Sequence, residues 1–223
     1  MTQRLPLFPL GTVLFPGVLL PLHVFEDRYR ALVRDLIAGP EAERAFGVVA
    51  IREGREVGAD GVHALYDVGC LAQLHQVEAY DDGRFDLVTA GSRRFRVESL
   101  LDPQDHRPYL QAEVEFLDEP VGAGSDSLAR GVGTVFRAYR SVLTGGGGAQ
   151  AGEDLPEDPT MLSYLVAAAS VLDRSDKQAL LAQPDTASRL RYELAILRRE
   201  TTLLRLLPSV PAVELTRTAV SHN

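Results

Sequence analysis

The sequence predicts an α+β protein: about six short strands with one short helix, read as a closed or nearly closed barrel, followed by a C-terminal α-helical bundle. Three observations carry this reading. Between Phe46 and Leu117 apolar runs of strand length recur, separated by turn signals such as Asp81-Asp82-Gly83 and Asp102-Pro103. From Ser125 onward apolar residues recur instead at spacings of three and four. The chain has 223 residues, 45% of them hydrophobic and 24% charged, which is enough to bury a core and ordinary for a globular protein.

The first segment, residues 5–22, is apolar but interrupted by Pro6, Pro9, Pro16 and Pro21. Prolines remove backbone donors, so the segment reads as edge or turn structure rather than a fully paired central strand, with Pro16-Gly17 suited to a type II turn. A helix over residues 25–38 follows, placing Phe25, Tyr29, Leu32, Val33, Leu36 and Ile37 on one side, with Glu26 and Asp27 in its first turn and Gly39-Pro40 as its stop. Residues 46–52 form a compact β-branched run. Residues 66–80 and 84–90 alternate about Asp81-Asp82-Gly83 and predict a hairpin. Residues 94–100 and 109–117 supply two more strands.

The second half reads as helices. Ser125 opens one that runs to Leu143 and turns Leu128, Val132, Val135, Phe136, Tyr139 and Leu143 inward. Residues 145–158 are Gly-rich and then acidic, a loop by composition. Pro159 suits the first position of a helix over residues 160–172. Ser175 is placed as the cap of residues 176–183, and Asp185 as the cap of residues 186–207, whose seam is Leu190, Leu194, Leu197, Thr201 and Leu204. The expected division is a β-rich unit over residues 1–119, a helical unit over 120–208 and a frayed tail over 209–223.

Charge and chemistry narrow the function. Net charge is −8, and residues 1–120 carry all of it, with 20 acidic and 12 basic side chains, which opposes a general nucleic-acid binder. The lone Cys70 forms no internal disulfide, which suits a reducing cytoplasm. No apolar run is long enough to span a bilayer, and the proline-broken opening segment reads as folded structure rather than a signal peptide. No phosphate-cradling loop precedes the single Lys177, and His23, His63, His75, His106 and His222 are scattered without metal-ligand spacing. Cys70 sits mid-strand with no adjacent base to activate it, and Ser92 lacks a nucleophile elbow. No catalytic site, metal site or cofactor site emerges. Arg191, Arg198 and Arg205 recur every seven residues on the last helix, either as a basic stripe for an acidic partner or, the favoured reading, as its solvated face, partly neutralised by Glu193 and Glu200.

The opening residues Leu5-Pro6-Leu7-Phe8-Pro9-Leu10, Val13-Leu14-Phe15-Pro16-Gly17, Leu20-Pro21-Leu22-His23-Val24-Phe25-Glu26 and Arg28-Tyr29 resemble the start of the Lon protease N-terminal, or substrate-binding, domain. Further resemblances follow in order at Phe46-Gly47-Val48-Val49, Val68-Gly69-Cys70-Leu71-Ala72, the stretch from Leu87 to Phe95, Leu110 to Val114, and Asp176 to Leu181 with Arg189-Leu190. The resemblance implies a PUA-like β-barrel followed by a helical bundle. Lon protease continues into ATPase and Ser-Lys protease modules that this sequence does not contain, so the similarity is to stand-alone bacterial Lon-domain proteins. It implies a non-catalytic module that binds unfolded or extended polypeptide, or a protein partner, as an adaptor or sensor in protein quality control.

An apolar, donor-poor segment at a sheet edge offers a groove for such a chain, with Phe8, Phe15, Leu19 and Phe25 as the candidate contacts. The competing reading is that these side chains fill the core, and burial at Phe8, Phe15 and Leu19 separates the two. A PUA-like nucleic-acid binder and a barrel with a small-ligand pocket are the alternatives, the first opposed by the acidic first half; no membrane partner is implied.

Overall fold

The computed structural model describes residues 2–54, 62–101, 103, 107–145 and 155–206. Asp102, His106 and His222, most of the Gly-rich loop (146–154), the predicted tail and the side chain of His63 lie outside them. The described chain divides into two compact units, Met1–Glu119 with Ala167–Ala182, and Pro120–Val166 with the residues from Gln183 on. The sequence order places the boundary between the β-rich and helical units at residue 119. The difference is the stretch 167–182, which is helical but packs with the strands.

Among the described residues the first unit holds seven strands rather than about six: β1 (Gln3–Leu10), β2 (Leu19–Val24), β3 (Ala45–Gly54), β4 (Val62–Leu65), β5 (Val68–Ala79), β6 (Phe85–Leu101) and β7 (Gln111–Phe116). β1 pairs antiparallel with β7 and parallel with β3, so the path β1-β7-β6-β5-β3 returns to β1. The opening segment is therefore not a fully paired central strand, as its prolines predict, although β1 has a partner on each side. The stagger explains it: residues 3–6 face β7 and residues 7–10 face β3, and between the prolines the Leu7 N–H still donates to the Leu110 carbonyl at 2.8 Å. Each proline removes one donor, and neither interrupts a continuous ladder.

Residues 84–90 and 94–100, expected as separate strands, are one 17-residue strand. Its first half pairs with β2 and β5, its second with β5 and β7. At the join, Gly91 exchanges backbone hydrogen bonds with Gly17 and Val18 at 2.8 and 2.9 Å. A Cβ there would lie 2.2 Å from the Phe15 carbonyl oxygen, so only glycine fits. The predicted Pro16-Gly17 turn forms, closed by Val18 N–H to Phe15 C=O at 3.2 Å with Gly17 at φ +77°.

Alternation sends neighbouring β1 residues to opposite faces. Leu5 and Leu7 join Val49, Phe95, Ala112 and Val114. Phe8 and Leu10 join Phe46, Val48, Cys70, Ala72 and helix α1 (Asp27–Ala38) through Tyr29, Leu32 and Val33. Phe25 precedes that helix instead of beginning it.

Helix α4 (Arg174–Leu181) belongs to this unit through side chains that bond strand backbone. Gln178 Nε2 donates to the Val68 carbonyl at 2.8 Å and Arg174 Nη1 to the Ile51 carbonyl at 2.5 Å. From β6, buried Arg94 donates to the Leu181 carbonyl at 2.7 Å, to the Asp118 carbonyl at 3.2 Å and to the Glu119 carboxylate. The cap of α4 is Asp173, whose carboxylate accepts the Asp176 N–H at 2.8 Å; Ser175, predicted as cap, instead donates to Asp173.

In the second unit, α2 (Ser125–Leu143) and α5 (Thr186–Leu206) bury Val132, Phe136, Tyr139, Leu190 and Leu197 against Leu162 and Val166 of α3 (Pro159–Ala169), whose last residues pass into the first unit. Gly124 rather than Ser125 caps α2, while Asp185 caps α5 as predicted by accepting the Ser188 N–H at 2.7 Å. Arg191, Arg198 and Arg205 are exposed, as expected for a solvated face. Glu193 is not on that face: it is buried and offsets none of it, and Glu200 pairs with Arg199 at 2.8 Å. No described helix is long and apolar enough to cross a membrane.

Candidate functional site

The four candidate contact residues separate into floor and rim. Phe8 and Phe15 are 5% and 1% exposed, so as surface contacts they are corrected: period-two alternation on β1 and the turn at Gly17 drive them inward. Leu19 and Phe25 are 66% and 49% exposed at the two ends of β2. Among the described residues β2 pairs only with β6, in the register Leu19 to Ala90, Pro21 to Val88 and His23 to Asp86, which leaves its other edge without a strand. Pro21 on this edge strand is where the loss of a donor is tolerated. Outward on the same face stand Leu19, Pro21 and His23, with half-buried Val88 and Ala90 beside them.

Beneath the Phe25 end lies a small cavity of about 50 Å³ lined by Phe8, Leu10, Leu22, Val24 and Tyr29, with His23, Phe25 and Glu26 at its rim. A single water needs roughly 10–15 Å³, so the cavity admits the tip of an apolar side chain. Its floor is fixed by the Phe8 and Tyr29 rings, stacked with centroids 4.0 Å apart.

A polar cluster borders the rim. His23 Nδ1 and Asp86 Oδ1 are 2.6 Å apart, and the Tyr80 hydroxyl donates to Asp86 Oδ2 at 2.6 Å. The His23 ring lies 6.2 Å from Phe25 and 6.3 Å from Tyr80 between centroids. Those bonds hold the Asp86 carboxyl below the usual carboxylate range, the Tyr80 hydroxyl contributing most, and the same bond pushes the Tyr80 phenol up. The hairpin that carries Tyr80 and Asp86 is fixed by Arg30 of α1, which donates to the Gly83 carbonyl at 2.7 Å and the Asp82 carbonyl at 3.1 Å. Tyr80 and Asp86 drew no attention in the sequence, because only strand register reveals that they meet His23.

Bond-making groups lie elsewhere. Burial pushes the Cys70 thiol up to about 12, the opposite of an activated nucleophile. The Lys177 ammonium is pulled down by burial and donates to the Ala168 carbonyl at 3.1 Å. Among the described residues no group of His, Cys, Asp and Glu is arranged to hold a metal. What the first unit presents is an apolar rim, an open strand edge and a shallow pocket.

The comparisons give the family. Residues 4–199 match the ATP-dependent protease La (LON) substrate-binding domain, and the chain belongs to this family. Lon protease 2 of Myxococcus xanthus is 29% identical over 218 residues, which cover 92% of this chain and 24% of that protease. Lon protease of Escherichia coli K12 is 27% identical over 213 residues, covering 91% of this chain and 25% of that protease. The chain thus spans about a quarter of the length of the curated relatives it matches. Among solved structures, a Lon N-terminal domain protein from Xanthomonas campestris aligns with TM-score 0.60 and 25% identity over 86% of this chain and 98% of that one. The N-terminal domain of Mycobacterium avium complex Lon protease aligns with TM-score 0.61 at 20% identity, over 90% and 98%, a likeness of fold.

Proposed function

We propose that this chain is a non-catalytic polypeptide-recognition module, acting in the cytoplasm as an adaptor or sensor in protein quality control. The strand ring of the first unit is read as a PUA-like barrel and the second unit as a helical bundle, and the recognition surface as the outer edge of β2. The observation that carries this is the pairing of a strand with one open edge and two exposed apolar side chains, Leu19 and Phe25, beside an apolar pocket. An extended client would add its backbone to that edge and set an apolar side chain against Phe25. Membership in a substrate-binding family supports the same reading.

The test is binding of a fluorescent, permanently unfolded reporter protein, with its folded counterpart as control and no nucleotide added. The unfolded form is expected to bind, and Leu19→Ser with Phe25→Ser to weaken it roughly tenfold, about 1.4 kcal/mol. Both side chains are exposed, so the thermal midpoint should hold. Equal binding of folded and unfolded reporter overturns the proposal.

A further inference from the structure

The second unit carries a groove of different chemistry, and it goes beyond the proposed function. Its cavity of about 570 Å³ runs along one face of α2, lined there by Asp126, Ala129, Arg130, Gly133, Thr134 and Arg137. The facing wall is Leu155, Pro156, Glu157 and Leu162. This volume lies within the range of ligand-binding clefts, roughly 300–1,000 Å³. Gly133 lets the facing wall pack close on α2: a Cβ there would approach Leu155 Cδ1 to 3.3 Å and lie 3.8 Å from Arg137 Nη1.

Arg130 and Arg137 are exposed and, among the described residues, neither has a carboxylate within ion-pair distance, although Asp126 and Glu157 line the same groove. Seven residues along a helix separate the two by about 10 Å, with Gly133 and Thr134 between them on α2 and Leu155 and Leu162 on the facing wall. We propose that this groove binds an acidic segment of a partner polypeptide, two carboxylates meeting Arg130 and Arg137 and an intervening apolar side chain resting on Leu155 and Leu162. In an extended chain of three residues per turn, carboxylates three residues apart stand on one side at about 9 Å, which matches the arginine spacing. Asp126 and Glu157 place negative charge at the groove, which disfavours a continuous phosphate backbone and favours a peptide whose acidic groups are spaced.

The test uses the full chain and a short labelled peptide with a Glu-Leu-Leu-Glu core, beside the same peptide with Gln-Leu-Leu-Gln and an oligothymidylate of equal charge. The acidic peptide is expected to bind at low salt and to weaken as salt screens it. Arg130→Gln with Arg137→Gln is expected to weaken it roughly tenfold with the helical circular dichroism unchanged. Leu19→Ser with Phe25→Ser should leave this binding intact, which separates it from client recognition at β2. No binding of the acidic peptide, equal binding of the glutamine peptide, or tighter binding of the oligothymidylate overturns the assignment.

Discussion

At the scale of single residues the sharpest departure from pattern is Glu193. Helical spacing on α5 placed it on a solvated face with the arginines, yet it is 1% exposed and neither carboxylate oxygen has a hydrogen-bond partner among the described residues. Burial holds its carboxyl well above the usual range, although Arg189 one turn earlier pulls the other way. A carboxyl whose folded pKa is raised contributes most below its unfolded value near pH 4.3, and that contribution is lost as pH rises through the folded value. Glu193→Gln removes the cost of a buried charge. It should therefore raise stability by about 1 kcal/mol at pH 8, with the gain shrinking toward pH 5. Thermal melts of both proteins at the two pH values check this; an unchanged or lower midpoint for the variant at pH 8 contradicts it. The neighbouring Arg189 is also buried, but it is satisfied by Ser163 Oγ at 3.0 Å and lies 4.0 Å from the Tyr164 ring centroid.

At the scale of elements, the sequence was legible where a single rule governed and misleading where two competed. The hairpin of β5 and β6, helix α2 and the Asp185 cap followed from alternation, periodicity and capping chemistry alone. For β1 the prolines correctly predicted incomplete pairing, while its two partners depend on a stagger that no local pattern encodes. The continuity of β6 through Gly91 was hidden for the same reason: its partner there is the turn at Gly17, more than 70 positions away. Of the candidate site, Leu19 and Phe25 could be chosen as apolar residues, but their exposure and the meeting of His23, Tyr80 and Asp86 exist only once register is set.

Arg94 shows what such distant pairing is worth. Its guanidinium is buried and bonds the Glu119 carboxylate and the carbonyls of Asp118 and Leu181. Arg94→Ala removes every one of these bonds and strands buried acceptors, so a loss of about 3 kcal/mol or more is expected in urea unfolding. A shift below about 1 kcal/mol, the scale of one ordinary hydrogen bond, would show that the network is dispensable.

For the whole molecule, the consequence is that the chain after Glu119 is shared between two compact units. Residues 167–182 return to the first unit after a second unit has been interposed, and α4 bonds the Ile51 and Val68 carbonyls and accepts from Arg94. Leu180 and Leu181 are fully buried as well, at 0% and 1% exposed. Burying two such side chains contributes about 3–6 kcal/mol, comparable with the net stability of a small domain. A chain ending at residue 119 should therefore lose cooperative unfolding, whereas one ending at residue 206 should keep it. Circular dichroism melts of the two truncations decide the matter. A sharp transition in the shorter one, with a midpoint near that of the full chain, would mean that the strand ring is self-sufficient and that α4 is an accessory to it.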